Sequence, residues 1–293
     1  MATACRSADE LLDLCRDDRR ISGAALLIGG LVALLLRAEQ GFPIERGHPR
    51  GALLLDYKLV SLNVFPNLLL SPLTGACAAL LVRAAGGGLI PLRADGWWFA
   101  LSLVLFILAN DVFAYWVHRA QHRIPALWAM HSLHHSAEAV TLVTGARHFW
   151  LEQMTLAAFF PVVAILFKTP PAVITAASFL YFAFDNCAHL NVRIPLGKLA
   201  IIVNNPQFHR IHHSIESEHN NKNFCKMLPI VDFVFGTLWV PGKDEFPPTG
   251  LVSGEKPQGF IDGALWPARR RRQPRITITQ FDPAAGAPEP IRS

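Results

Sequence analysis

The chain has 293 residues, 52% of them hydrophobic and 17% charged, with a net charge of +5 and a mean hydropathy of +0.30. That composition is more apolar and less charged than an average soluble domain, so it argues against an ordinary soluble enzyme and predicts an all-α, polytopic helical membrane protein. Cys5, Cys15, Cys77, Cys187 and Cys225 are odd in number and scattered, with no C-x-x-C, which disfavours a disulfide framework and any cysteine-based zinc or iron-sulfur site; nucleic-acid binding has no support beyond the modest positive charge.

Three apolar stretches come first in chain order. Ile21–Leu36 is broken only by Ser22 among polar side chains, Leu59–Val82 carries no charge but is interrupted by Pro66 and Pro72, and Trp97–Val117 is long enough at about 1.5 Å per residue to cross a hydrocarbon core of roughly 30 Å. No small-residue cleavage site follows the first stretch, so it is read as a membrane helix rather than a secretory signal. The third stretch runs directly into "DVFAYWVHRAQH", where Asp111, Tyr115, His118 and His122 recur at helical spacing and share one face. An acid near the bilayer is costly, so Asp111 is a functional candidate; otherwise it is a plain interfacial residue in water. His118 and His122 at i and i+4 do not make a zinc-protease helix, because Arg119 stands where that motif needs Glu.

Next come "HSLHH" at 131–135 and, about eighty residues on, "HRIHH" at 209–213, the same H-x-x-H-H pattern twice. On a helix His131, His134 and His135 project together, as do His209, His212 and His213. Imidazole combines a lone pair near neutral pH with a rigid ring, so the repetition points to metal. Between the two patterns, Met154–Phe167 and Ala172–Phe184 are short apolar runs separated by "KTPP", which predicts a helical hairpin that dips into the membrane or crosses it twice and returns the chain to the same side. "DNCAHLNVRIP" follows, with His189 aimed back toward the clusters as a ligand candidate; Asp185, four residues earlier, could orient it or bind metal itself.

"DVFAYWVHRAQH", "HSLHH", "HLNVRIP" and "HRIHHS", with "NKNF" and "VDFVFGT", resemble the sterol desaturase and fatty acid hydroxylase superfamily of integral membrane enzymes, from about Asp111 to Thr237. The resemblance implies that His118, His122, His131, His134, His135, His189, His209, His212 and His213 hold two iron ions that activate O2 for attack on an unactivated C–H bond of a lipid. It further implies a lipid or sterol-like substrate, hydroxylation or desaturation, and electrons from an external ferredoxin, b-type cytochrome or reductase, since the chain carries no nucleotide, haem or iron-sulfur motif of its own. Soluble di-iron bundles use Glu-x-x-His pairs, which are absent. A metal-dependent lipid hydrolase and a membrane metal transporter are the alternative classes.

Family members carry a segment like R-x-H-P-x-E after the second box. Here "RHFWLE" keeps Arg147 and Glu152 but places Phe149 and Trp150 at the His and Pro positions, so His148 is left out of the ligand set, and the isolated His48 and His219 are read as solvated. The expected organisation is membrane helices over 1–95, a catalytic region over 96–245 and a polar, partly disordered tail over 246–293, whose "ARRRRQPR" run can also touch anionic lipid. Basic residues around the boxes place them on the cytoplasmic side. Arg16, Arg19 and Arg20 argue for the same side at the N-terminus; a hairpin at Pro66–Pro72 would reconcile the two.

Overall fold

The computed structural model describes residues 26, 28–45, 50–152 and 160–270. The N-terminal basic cluster at 16–20, Cys5 and Cys15, His48 and residues 271–293 of the C-terminal tail therefore lie outside the described residues. Helix α1 covers 28–41, followed by α2 (Arg50–Ala84), β1 (Ile90–Pro91), α3 (Trp97–Arg123), α4 (Pro125–His135) and α5 (Leu142–Gly145). Then come α6 (Phe160–Leu166), β2 (Phe167–Lys168), α7 (Pro171–Ala188), α8 (Pro206–His212), α9 (Ile230–Val234), α10 (Phe260–Ala264) and α11 (Trp266–Arg270). The two-residue strands pair in parallel, Ile90 with Phe167 and Pro91 with Lys168.

Helix α2 runs unbroken through Pro66 and Pro72, so the hairpin expected there is not formed. A proline removes one backbone donor, and such a loss is tolerated in an apolar helix when nearby side chains supply donors. Here Asn67 Nδ2 donates to the Asn63 carbonyl at 2.7 Å and Thr74 Oγ1 to the Leu70 carbonyl at 3.1 Å, in the turns around the prolines. Two helical stretches are long and apolar enough to cross a membrane, Gly51–Leu70 and Trp97–Arg123. Their apolar side chains are largely exposed, Phe65, Leu68, Leu69 and Val104 among them. Such surfaces need hydrocarbon against them, so the chain is membrane-associated.

The 27 residues of α3 extend about 40 Å, beyond the roughly 30 Å that hydrocarbon requires, and the excess carries His118 and His122 past its end. Ile124, in extended conformation, is the single residue between α3 and α4, and Pro125 starts α4 with its ring at a position where no amide donor is needed. This tight corner folds His131, His134 and His135 back against the end of α3. Helix α7, 18 residues from Pro171, is longer than the thirteen-residue apolar run and ends at His189. It packs on α3 through Ile107, Ala177 and Tyr181, whose hydroxyl donates to the Ile107 carbonyl at 2.7 Å. Residues 153–159 are not described, so the hairpin expected over Met154–Phe184 is seen from Phe160 on, as α6, the break before Pro171 and α7.

The returning C-terminal segment braces α4 from outside. Trp266, 1% exposed, packs with Leu59, Leu133 and Phe149, and its Nε1 donates to Ser132 Oγ at 3.0 Å. Replacing Trp266 with Phe removes that bond and leaves a buried hydroxyl without its donor. A loss of about 1–3 kcal/mol is expected, read as a lowered midpoint of thermal unfolding in detergent, while Trp97→Phe, at an exposed position, leaves the midpoint unchanged.

Candidate metal centre

Three short elements aim their histidines at one point. The α3–α4 corner brings His118 and His122 to His131 and His135. Asn205, whose side chain accepts from the Phe208 amide at 3.1 Å, caps α8 and starts it so that His209, His212 and His213 face the same interior. His189 arrives from the end of α7. The ring nitrogens form two sets, His118, His122, His131, His135 and His212 in one and His134, His189, His209 and His213 in the other, and within each set they lie within 4.8 Å of one another. Every histidine of the nine-residue set read from the sequence thus lies in one of the two groups.

Proton positions follow from what each outer nitrogen touches. A carbonyl only accepts, so the contacts of His118 Nδ1 with the Phe224 carbonyl (2.8 Å), His189 Nδ1 with Asp185 O (2.7 Å) and His212 Nδ1 with Lys222 O (2.9 Å) put the ring proton on Nδ1. His131 Nδ1 does the same toward the Glu152 carboxylate at 2.7 Å. In all four rings Nε2 is then a bare lone pair pointing inward. His118 Nε2 and His131 Nε2 stand 3.1 Å apart with no proton between them, and the buried Nε2 atoms of His122 and His212 have no hydrogen-bond partner. Converging lone pairs of this kind repel one another unless a cation sits between them, and an all-imidazole donor set suits iron, zinc, copper or nickel.

Burial keeps the rings neutral. It drives the pKa values of His134, His135, His209 and His213 well below the ordinary imidazole value, reinforced by the neighbouring histidines, and it takes His212 down to about 3 against the opposing pull of the Lys222 carbonyl. The lone pairs are therefore available throughout the physiological range.

Around the rings lies a shell of fixed polar groups. Glu152 Oε1 accepts from His131 and from Gln121 Nε2 at 2.9 Å, and lies 3.2 Å from His148 Nδ1. Burial alone would raise its carboxyl, but the charges and hydrogen bonds of His148 and His131 outweigh that and hold it below the usual carboxylate range. His148 is outside both sets of nine, yet its ring stacks on His134 with centroids 4.2 Å apart. Asp111 is fully buried, and its carboxylate accepts from the amides of Lys226, Met227 and Leu228 at 2.7–3.1 Å. Asp232 accepts from the amides of Phe224 and Cys225, both at 2.8 Å, and from Thr237 Oγ1, which contacts the Tyr115 hydroxyl. Two carboxylates thus clamp the 224–228 segment whose Phe224 carbonyl fixes His118. The Asp185 side chain reaches Lys226 at 3.8 Å, and its backbone carbonyl, not its carboxylate, meets His189.

One sequence expectation is overturned. His219 is not solvated: it is 1% exposed, with Nδ1 2.9 Å from Ser214 Oγ and Nε2 2.9 Å from Glu245 Oε1. The carboxylate requires a proton on Nε2, so Nδ1 accepts from the Ser214 hydroxyl, directly after His213. Nothing local in "ESEHNN" marks this, because the partner Glu245 is 26 residues away. Gly145 was likewise missed: a Cβ there would stand 2.6 Å from Cβ and Cγ of His189.

The comparisons agree with this geometry. Residues 103–237 match the family model described as fatty acid hydroxylase. The chain is 33% identical to an alkylglycerol monooxygenase of Danio rerio over 142 residues, covering 48% of this chain and 30% of that protein, and 34% identical to the Homo sapiens protein of the same name over 131 residues, covering 45% and 29%. It is 26% identical to the ornithine lipid hydroxylase OlsE of Rhizobium tropici over 200 residues, covering 66% and 60%. The chain thus spans less than two thirds of the length of each of these relatives. No solved structure matches it.

Two outcomes follow. Gly145→Ala forces the His189 ring to move, and elemental analysis is expected to show loss of metal from the four-histidine set, about half the load, with the fold retained by circular dichroism. Asp111→Asn keeps the shape but turns an NH2 group toward backbone donors; loosening the clamp on the His118 carbonyl is expected to lower metal affinity or activity by about 10- to 100-fold, and unchanged metal content and turnover would make Asp111 a bystander.

Proposed function

We propose that the protein is a member of the sterol desaturase and fatty acid hydroxylase superfamily, supported by the match of residues 103–237 to the fatty acid hydroxylase model, and a membrane-bound, non-haem di-iron oxidoreductase that hydroxylates or desaturates a lipid or sterol-like substrate with O2 and external electrons. The observation that carries this reading is the pair of buried neutral imidazole sets with inward lone pairs. In it, the first ion is held by His118, His122, His131, His135 and His212, and the second by His134, His189, His209 and His213. Iron supplies, when bound, the activation of O2 that C–H oxidation needs. The chain's own residues do the rest. The Phe224, Asp185 and Lys222 carbonyls and the Glu152 carboxylate hold the Nδ1 protons and orient the rings. We assign Asp111 and Asp185 to positioning: neither has a carboxylate contact to a histidine of the two sets, and both act on the segment around Lys226.

Hydroxylation takes one C–H bond, O2, two electrons and two protons to an alcohol and water, and desaturation takes two C–H bonds, O2 and the same electrons and protons to an alkene and two waters. The electrons come from a ferredoxin, b-type cytochrome or reductase. The proposed arrangement is multi-pass, with the catalytic region 96–245 built around histidines at the cytoplasmic ends of the helices, membrane helices before it over 1–95 and a polar tail after it over 246–293. The relatives' printed names, monooxygenase and hydroxylase of lipids, support the reaction class and favour it over hydrolysis or metal transport.

Cells expressing the chain under isotopically labelled dioxygen are expected to yield a lipid that carries the label or is newly unsaturated, and His212→Ala cells neither. Product formed without O2, or oxygen arriving only from water, would move the protein to the hydrolase class. Metal analysis of wild-type protein purified under low oxygen is expected to approach two ions per chain.

A further inference from the structure

Outside the histidine sets, a cavity of about 490 Å3 lies between the start of α2 and the turn that follows α4. Its wall includes Asp56, Ser136, Glu138, Thr144, Arg147 and Lys256. Ser136 directly follows His135, and Thr144 directly precedes Gly145, which abuts the His189 ring, so a single layer of chain separates the cavity from both sets. The apolar stretch of α2 begins at Gly51, which also lines the cavity. The cavity is therefore at the polar end of a candidate span, where the head group of a lipid with its tail in hydrocarbon would stand.

Of its charged side chains, Glu45 is taken by Arg210, and the other four are arranged in two pairs of different character. Deep in the wall, Arg147 is 5% exposed; Nη1 donates to Asp56 Oδ1 at 2.7 Å, Nη2 to the Leu133 carbonyl and Ser136 Oγ, and Nε has no partner. This pair is a fixed part of the scaffold, with one buried donor left over. At the mouth, Lys256 Nζ meets Glu138 Oε2 at 2.6 Å with side chains 50% and 61% exposed. An ion pair so exposed contributes about 0–1 kcal/mol, so a ligand can exchange with either partner.

The charge balance selects the ligand. A purely anionic head group would satisfy Lys256 and leave Glu138 repelling it, a purely cationic one would do the reverse, and an uncharged one gains nothing from breaking the pair. A group carrying an ammonium and an oxyanion replaces both halves of the pair with no charge left over. We propose that this cavity binds a zwitterionic lipid head group, with its ammonium on Glu138 and its oxyanion on Lys256. The proposal rests on the lipid-oxygenase reading only in taking that lipid as the substrate; binding itself requires no metal.

The test uses the full chain in uncharged detergent, with and without metal, titrated in a calorimeter with three short probes: dihexanoyl phosphatidylethanolamine (zwitterionic), dihexanoyl phosphatidylglycerol (anionic) and monohexanoyl glycerol (uncharged). Wild type is expected to bind the first about tenfold more tightly than the other two, a difference of about 1.4 kcal/mol. Glu138→Gln and Lys256→Gln are each expected to abolish the preference; both positions are exposed, so folding is preserved. The E138K/K256E double variant, which offers both charges in exchanged places, is expected to keep most of it. Equal binding of the three probes, or a preference that survives both single substitutions, overturns the proposal. If the preference holds while no lipid becomes labelled from O2 or newly unsaturated, the oxidoreductase reading falls and the head-group site stands; labelled or newly unsaturated product from a protein with no preference removes the site and leaves the oxidoreductase.

Discussion

Nine imidazoles converge here with ring nitrogens facing one another, and the rest of the molecule is organised around tolerating that arrangement. A buried polar atom without a partner costs about 1–3 kcal/mol, and several of the inner nitrogens have none among the described residues. Protonation would relieve the repulsion only by placing charges in a desolvated interior, and burial opposes it. A metal ion is the chemical species that converts the same geometry from a penalty into a stabilising contact. Holding the rings in place before the ion arrives then becomes the task of the surrounding chain.

That task falls on groups outside the two histidine sets. The segment from Lys222 to Leu228 crosses the centre in irregular conformation, and its carbonyls at 222 and 224 orient His212 and His118. Irregular backbone can serve this way only if its own polar groups are satisfied. Asp111 takes three of its amides, Asp232 two, and Asn223, in the left-handed conformation that Asn tolerates, bonds both the Phe208 and Trp239 carbonyls. His219 does the equivalent on the far side of α8, tying Ser214 to the loop at Glu245. Loss of any of these groups acts on metal binding through a carbonyl or a neighbouring residue rather than through a ligand.

The histidine clusters were legible in the sequence because their information is local: i, i+3 and i+4 on a helix bring His131, His134 and His135 together without any knowledge of the fold, and the same holds at 209–213. The helical class was equally legible, since it rests on the summed hydropathy of long segments. Contacts between distant parts of the chain were not. Glu152 reads as half of a conventional motif, and only the fold shows it 2.7 Å from His131; His219 reads as a polar loop residue until Glu245 is placed against it. The prolines of α2 misled for a related reason, because whether a proline breaks a helix depends on its surroundings in the fold, and α2 runs unbroken through Pro66 and Pro72.

The two histidine sets are alike in chemistry but not in backing, and that difference bears on how they divide the work. His131 leans on an ionised carboxylate, which raises the basicity of its inner nitrogen more than a neutral carbonyl can, and its set has five rings. The four-ring set has a carbonyl behind His189, while the buried Nδ1 atoms of His134, His209 and His213 have no hydrogen-bond partner to sharpen their donor character. With four rings rather than five, and three of them without such backing, this set would hold an ion with fewer and weaker donors. Gly145, whose missing side chain lets the His189 ring into place, lies beside this second set, while the cavity is lined by Ser136, directly after His135 of the first set, as well as by Thr144. The cavity thus borders both sets, and what distinguishes them is the backing of their rings.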